Sequence, residues 1–228
     1  MATTKQLTNN KTAELFKSRK NILAHLDRQD YVVDDYTNFS FLDINAMYLN
    51  NQMDMLVTHK TNKKKVYVKY YLETKIRPAN LDLIIEDLFI GIDVENGATG
   101  DVPTLSKDDT LVLILGDEPN DKFIEKLKYI YENKSEGYFV VPIAISRLLF
   151  NIFDSKLVPP HYILTDQEVS DIRTIYNVRP DMSLQKIFPE VSRWDPVSLM
   201  LFLKPGQVVK IVRDSSTSVK SVFYRVCV

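Results

Sequence analysis

Leu111-Val112-Leu113-Ile114-Leu115 is an unbroken apolar run of strand length. Such a run suits a strand buried on both faces, as in the middle of a parallel sheet. Its neighbours decide the fold class. Downstream, residues 120–131 put Phe123, Leu127 and Ile130 on one side of a helix, and Tyr138-Phe139-Val140-Val141 reads as a second buried strand. Upstream, residues 79–87 read as a helix, and residues 53–59 and 65–71 as a β-hairpin joined by Lys60-Thr61-Asn62-Lys63-Lys64. Strands alternating with helices predict an α/β (α+β) arrangement.

Working outward, Leu15, Phe16, Ile22, Leu23 and Leu26 approximate a helical stripe, with Lys17, Arg19, Lys20 and Arg28 on other faces. Tyr31-Val32-Val33 is a short apolar piece, and residues 39–49 form a second helix. Residues 91–109 carry three of the six glycines and many acids, and read as a loop or insertion.

A change of character near residue 155 divides the chain into domains 1–155 and 156–228. From Lys156 onward there are 10 Lys+Arg against 7 Asp+Glu, whereas the preceding part has 19 against 23. Leu157-Val158-Pro159-Pro160-His161 sits at the change, and two adjacent prolines stop any helix. Thr165-Asp166-Gln167-Glu168 then forms a capping box, in which the Thr hydroxyl and Glu carboxylate satisfy orphan amides of a first helical turn. Val169, Ile172 and Tyr176 continue that helix, which ends before Pro180. Pro205-Gly206 is a turn pair, Pro fixing φ and Gly accepting positive φ. Residues 207–213 and 219–226 pair as a terminal hairpin around Asp214-Ser215-Ser216-Thr217-Ser218.

Composition excludes several classes. The 228 residues, 45% apolar and with a formal charge of -1, do not have the low hydrophobicity and high net charge of a disordered chain. One cysteine, Cys227, excludes a disulfide framework. No apolar run approaches the roughly 20 residues of a spanning helix, and Met1-Ala2-Thr3-Thr4-Lys5-Gln6 lacks a signal peptide's apolar core. A soluble intracellular protein without a membrane partner is expected. With a net charge of -1, any DNA contact has to be local.

Chemistry-bearing motifs are sparse. His25, His59 and His161 have no further ligand at zinc spacing, and Cys227 reads as a small buried apolar residue. Neither a Walker lysine loop nor a dinucleotide glycine fingerprint is present. No metal, cofactor or catalytic residue is expected. One signal opposes this: Asp54, then Glu73-Thr74-Lys75 beyond the next strand, has the spacing of metal-dependent nucleases of the restriction-endonuclease class. There two carboxylates hold Mg²⁺ and a lysine helps activate water. The alternative register, Tyr67-Val68-Lys69, replaces the middle carboxylate by a phenol and removes the metal site. The plainer reading makes Glu73 and Lys75 exposed charges at a strand end. Lys60, Lys63, Lys64 and Lys65 can meet phosphate or stand as solvated turn lysines, and Trp194 suits either a protein interface or a local core.

The C-terminal third resembles the fifth subunit of eukaryotic DNA-directed RNA polymerases and the archaeal H subunit. Three stretches carry the likeness: Leu157-Val158-Pro159-Pro160-His161 with Leu164-Thr165 and Glu168-Val169; Asp195-Pro196-Val197; and Lys204-Pro205-Gly206-Gln207-Val208-Val209-Lys210-Ile211-Val212-Arg213 with Tyr224-Arg225-Val226. They cover about 70 residues in the family's order and spacing. The first domain resembles the family's jaw domain in element order. That jaw has a degraded, inactive restriction-endonuclease-like fold, which the resemblance offers as the origin of the nuclease-like spacing.

The resemblance implies a non-catalytic subunit of a multisubunit RNA polymerase. Its assembly domain docks on the largest subunit beside neighbouring small subunits, and its jaw faces downstream double-stranded DNA. Pro159, His161, Asp195, Pro196, Gly206, Gln207 and Arg225 are then the assembly-module residues, with Gln207 and Arg225 offering hydrogen bonds to a partner. Pro119, Lys63 and Lys64 are the DNA-facing candidates. Two departures stand out. The family's Thr-Pro-Ser-Ala turn reads Asp117-Glu118-Pro119-Asn120 here, and acids repel phosphate. Its Arg-Tyr-Tyr-Gly after Asp-Pro-Val is replaced by Ser198-Leu199-Met200-Leu201-Phe202. Divergence and an Asn/Lys bias fit a large cytoplasmic DNA virus or a divergent eukaryote as source. The expected location is accordingly a viral factory or virion in the first case and the nucleus in the second.

Overall fold

Leu15, Ile22 and Leu26 share one side of a helix and are fully buried, so α1 (Asn9–Arg28) lies against the core along its apolar stripe. The computed structural model describes residues 9–72, 75–93, 98–99, 103–133, 137–179 and 181–228. They fall into two compact units, Met1–Phe150 and Asn151–Val228.

In the first unit, a short α2 (Asp34–Thr37) leads to α3 (Phe41–Leu49), which starts at Ser40 with a reciprocal Ser40/Asp43 capping box. β1 (Met55–Thr58) and β2 (Lys65–Tyr71) form the expected antiparallel hairpin, Met55 opposite Val68 and Val57 opposite Val66. All four of those side chains are buried, because alternate residues of a strand face one side. Pro78 opens α4 (Pro78–Ile85), where its missing N–H costs nothing. A π-helical turn, Glu86–Ile90, extends it and closes at Gly91, whose φ of 76° needs a glycine-like backbone.

The expectation of a loop over residues 91–109 is corrected in part. β3 (Ile92–Asp93) pairs with β4 (Ala98–Thr99), Leu105 is buried with its N–H on the Leu88 carbonyl at 3.0 Å, and Asp109 is 5% exposed. The Asp109 carboxylate accepts from the Lys65 amide at 2.6 Å and from the Ser106 amide and hydroxyl, each at 2.8 Å. This acid is a buried staple, holding the start of β2 beside the start of the next strand.

That strand is β5 (Thr110–Leu115), buried at every position. It is followed by α5 (Asp121–Glu132), capped by Asn120 and burying Phe123, Leu127 and Ile130, and then by β6 (Phe139–Ala144). The sheet order is β1-β2-β5-β6, with β5 parallel to both neighbours and Val112 level with Val68 and Val141. Covered on both faces, β5 needs no polar side, which is why its sequence is a continuous apolar run.

The second unit contains β7 (His161–Ile163), α6 (Asp166–Ile175), β8 (Glu190–Val191), α7 (Pro196–Met200), β9 (Val208–Ser215) and β10 (Val219–Cys227). Its sheet runs β7-β9-β10-β8. β9 and β10 form the terminal hairpin, eight residue pairs from Val208↔Val226 to Ser215↔Val219. Leu201, Leu203, Val209, Ile211 and Cys227 form one core cluster; Ile172, Phe188, Val208 and Val226 form another. The protein is thus a mixed α/β chain. Among the described residues, no helix is long and apolar enough to cross a membrane.

Candidate functional site

The residues that the resemblance implies for an assembly module all lie in the second unit, most of them at turns and strand ends. Proline lacks an N–H but keeps its carbonyl: Pro159 O contacts His161 Nδ1 at 2.6 Å and Pro160 O accepts from the Val212 amide at 3.0 Å. Because a carbonyl only accepts, His161 carries its proton on Nδ1 in that contact. His161 stands opposite Ile211 on β9, among the charges of Asp195, Arg213 and Arg225. Partial burial, the largest influence, holds its pKa below the ordinary imidazole value. Asp195 caps α7 by accepting from the Val197 amide at 3.0 Å, and Pro196 occupies the first helical position.

Gly206 adopts φ 90° and donates its N–H to Cys227 O at 2.9 Å. Gln207 Oε1 accepts from the Lys204 amide at 2.8 Å, and Gln207 O accepts from the Cys227 amide at 2.9 Å. Arg225 Nη1 donates to Glu190 O at 3.0 Å, tying the hairpin to β8. Gln207 and Arg225, expected to reach a partner, therefore make bonds inside the chain. They stiffen the turn and the sheet edge. Cys227 is fully buried, its thiol pushed up to about 11 by burial.

Sequence reading did not single out several contributors. Arg193 packs its guanidinium carbon 4.4 Å from the Trp194 ring and is 6% exposed. At the hairpin's outer half, Arg213 stacks 5.2 Å from Phe223, which is 47% exposed. Tyr162, Ile175, Tyr176 and Val222 add exposed apolar surface to this unit. In sequence, arginine three residues before a small turn gives no sign of its aromatic partner across the strand. Only the β9–β10 register brings Arg213 and Phe223 close enough to stack.

Of the nuclease-like residues, Asp54 is held by residues of β2, and Lys75 lines a cavity that does not include it. Asp54 Oδ1 accepts from the Tyr70 amide at 3.0 Å, while Oδ2 receives the Tyr67 hydroxyl at 3.2 Å and Lys69 Nζ at 3.4 Å. The alternative register, Tyr67-Val68-Lys69, is the one realised. Tyr67's phenol is held above its ordinary pKa by burial and by Asp54, so it donates as a neutral group where a metal site needs an anion. Lys75 lines a different cavity, with Leu72, Gly116, Asp117 and Pro119. Glu73 lies outside the described residues. Among the described residues, no group of three or more His, Cys, Asp or Glu is placed to hold a metal ion.

Lys63 and Lys64 are exposed in the β1–β2 turn, with Lys63 at φ 59°. Lys64 donates its amide to Asn62 Oδ1 at 3.0 Å. Pro119 lies beside Glu118, whose Oε1 receives Arg147 Nε at 2.6 Å, so one of the loop's two acids already has a cationic neighbour.

The family model described as RNA polymerase Rpb5, C-terminal domain, matches residues 150–227. The chain is 32% identical over 76 residues to DNA-directed RNA polymerase subunit Rpo5 of Methanococcoides burtonii, covering 33% of this chain and 91% of the relative. It is 37% identical over 83 residues to DNA-directed RNA polymerases I, II, and III subunit rpabc1 of Dictyostelium discoideum, 36% of this chain and 40% of the relative. For the RPABC1 subunit of Caenorhabditis elegans the values are 32% over 91 residues, 40% of this chain and 41% of the relative. The matches thus span nearly all of the archaeal relative and about two fifths of the eukaryotic ones. Through the unit that ends in the Gly206 turn and the β9–β10 hairpin, this chain belongs to the Rpb5 family of DNA-directed RNA polymerase subunits.

Proposed function

We propose that the protein is a non-catalytic subunit of a multisubunit DNA-directed RNA polymerase. In this reading, residues 156–228 are an assembly domain docking on the largest subunit beside neighbouring small subunits. The observation that carries it is the coincidence of the family match over 150–227 with one compact unit, Asn151–Val228. Exposed Tyr162, Phe223 and Val222 give that unit apolar area to bury against a partner. His161, Asp195, Gly206, Gln207 and Arg225 act by holding the turns and the sheet edge that present it. Pro159 and Pro196 set the chain's entry into β7 and α7.

Residues 1–155 form a jaw on a restriction-endonuclease-like scaffold without its metal site. Asp54 paired with Lys69 and Tyr67, on a sheet with three parallel strands, supports this reading. Any contact with downstream DNA is through Lys63 and Lys64, and is weak because Asp117 and Glu118 flank Pro119. The protein works where its polymerase works, in the nucleus of a cell or in a viral factory or virion.

Affinity purification of the tagged chain from its native host or infected cell, with mass spectrometry of the co-purifying chains, tests the proposal. The two largest polymerase subunits should be recovered stoichiometrically. Recovery of the chain alone would sink the reading, and a Mg²⁺-dependent DNA-cleavage assay on the purified protein would then decide the nuclease alternative.

A further inference from the structure

The turn between β1 and β2 contains no glycine, and side chains hold its backbone amides. His59 Nδ1 receives the Thr61 amide at 3.1 Å and the Asn62 amide at 3.5 Å. Asn62 Oδ1 accepts from the Lys64 amide at 3.0 Å, and the His59 amide donates to Lys64 O at 2.8 Å. Lys63 completes the turn at φ 59°, in the left-handed region. The imidazole also meets the Tyr31 ring edge-on, with centroids 5.1 Å apart. A ring nitrogen accepts only while it carries no proton, so Nδ1 in this role requires a neutral ring with its hydrogen on Nε2. Protonation puts an N–H where Thr61 and Asn62 already present theirs, and two donors cannot bond each other. The neighbouring charges are Lys60, 3.6 Å from Asp27 of α1; Lys63 and Lys64 of the turn; Asp30, whose carbonyl takes the Lys60 amide; and Lys65, whose amide is held by Asp109. The Tyr31 phenol is pushed up to about 12, first by burial and then by Asp109, so it stays neutral while imidazoles titrate.

We propose that His59 is a pH-sensitive latch on this lysine-bearing turn: neutral, it fixes the Thr61 and Asn62 amides; protonated, it releases them. Thr61 and Asn62 are exposed, so water takes the place of the lost acceptor and the turn opens without disturbing the buried sheet. The released ring is a cation beside Lys60, Lys63 and Lys64. Acid therefore loosens the turn and raises its positive charge together. An anionic partner meets a fixed turn at neutral pH and a looser, more basic one in acid. The latch follows from the turn's own geometry, independently of the polymerase reading, and its failure would leave that reading untouched.

The test is an NMR titration of the full chain from about pH 8 to about pH 5, the span in which imidazoles change charge. At the alkaline end the ring ¹⁵N shifts should show Nδ1 without a proton. The Thr61 and Asn62 amide resonances should then move with the same midpoint as the His59 ring. Two variants separate the latch from a merely structural histidine. His59→Asn sets a side-chain carbonyl oxygen where Nδ1 stands, an acceptor that does not titrate, as in an Asx turn. Its Thr61 amide should keep the bonded position across the whole range. His59→Phe keeps a ring against Tyr31 but offers no acceptor, so its Thr61 amide should take the acid position already at the alkaline end. A proton on Nδ1 at the alkaline end overturns the proposal. So do amides that stay still while His59 titrates, or an unchanged pH response in His59→Asn.

Discussion

Two residues with nearly the same backbone conformation carry opposite consequences. Phe202 and Val219 have φ of 52° and 59°, in the left-handed region that costs a side chain about 1–2 kcal/mol. Val219 is 80% exposed at the end of the hairpin turn, so little packing opposes that strain. Val219→Gly should therefore stabilise the chain by about 1 kcal/mol. Phe202 is 6% exposed, and removing a buried phenylalanine costs about 3–5 kcal/mol, so Phe202→Gly should destabilise. Urea unfolding of both variants checks the pair of signs. His161 makes a pH-dependent prediction. Burial lowers its pKa in the folded chain, so the unfolded chain binds a proton more readily. The stability it contributes is full above the ordinary imidazole value of about 6.5, and is lost as pH falls through that value toward the folded one. Unfolding midpoints at about pH 7.5 and about pH 5.5 should show this loss, and His161→Gln should lessen it.

At the scale of elements, helix ends account for much of the local order. α1, α3, α6 and α7 each end with paired bonds from the two residues beyond the cap. In α6 these run from Asn177 N to Thr174 O at 3.1 Å and from Val178 N to Arg173 O at 2.7 Å. The left-handed residues that close these helices are Asp30, Asn51, Asn177 and Phe202, none of them glycine. The α6 start was legible because Thr165 and Glu168 stand three apart, and the structure makes both bonds. Its closing motif was not, since asparagine signals a left-handed residue less strongly than glycine. Thr165→Ala should cost about 1 kcal/mol, measurable by denaturant unfolding, because the Glu168 amide loses its acceptor. The π-helical turn Glu86–Ile90 was likewise invisible, as its periodicity differs from an α-helix by less than one residue per turn.

At the scale of the molecule, assembly provides the prediction. Gly206 has nothing within 4 Å of the place where a Cβ would stand, so space is not its constraint. Its φ of 90° is, and that turn feeds the hydrogen bond to Cys227 O. Gly206→Val should distort the base of the β9–β10 hairpin and reduce co-purification with the polymerase. Circular dichroism on the purified variant separates lost docking from global unfolding, and undiminished incorporation would count against the assembly role.

The buried central strand, the two hairpins, the capped start of α6 and the C-terminal family likeness were all legible along the chain. Each rests on local signals: an apolar run, a period, a cap, a Pro-Gly pair. Tertiary structure alone decided which charges meet. It chose Lys69 over Lys75 for Asp54, because register along β1–β2 sets the distance between residues far apart in sequence. It turned Asp109 into a buried staple, and it buried the Arg19 guanidinium against the Tyr36 and Phe39 rings. Charge pairing depends on three-dimensional separation and burial, and neither is a property of neighbouring residues along the chain.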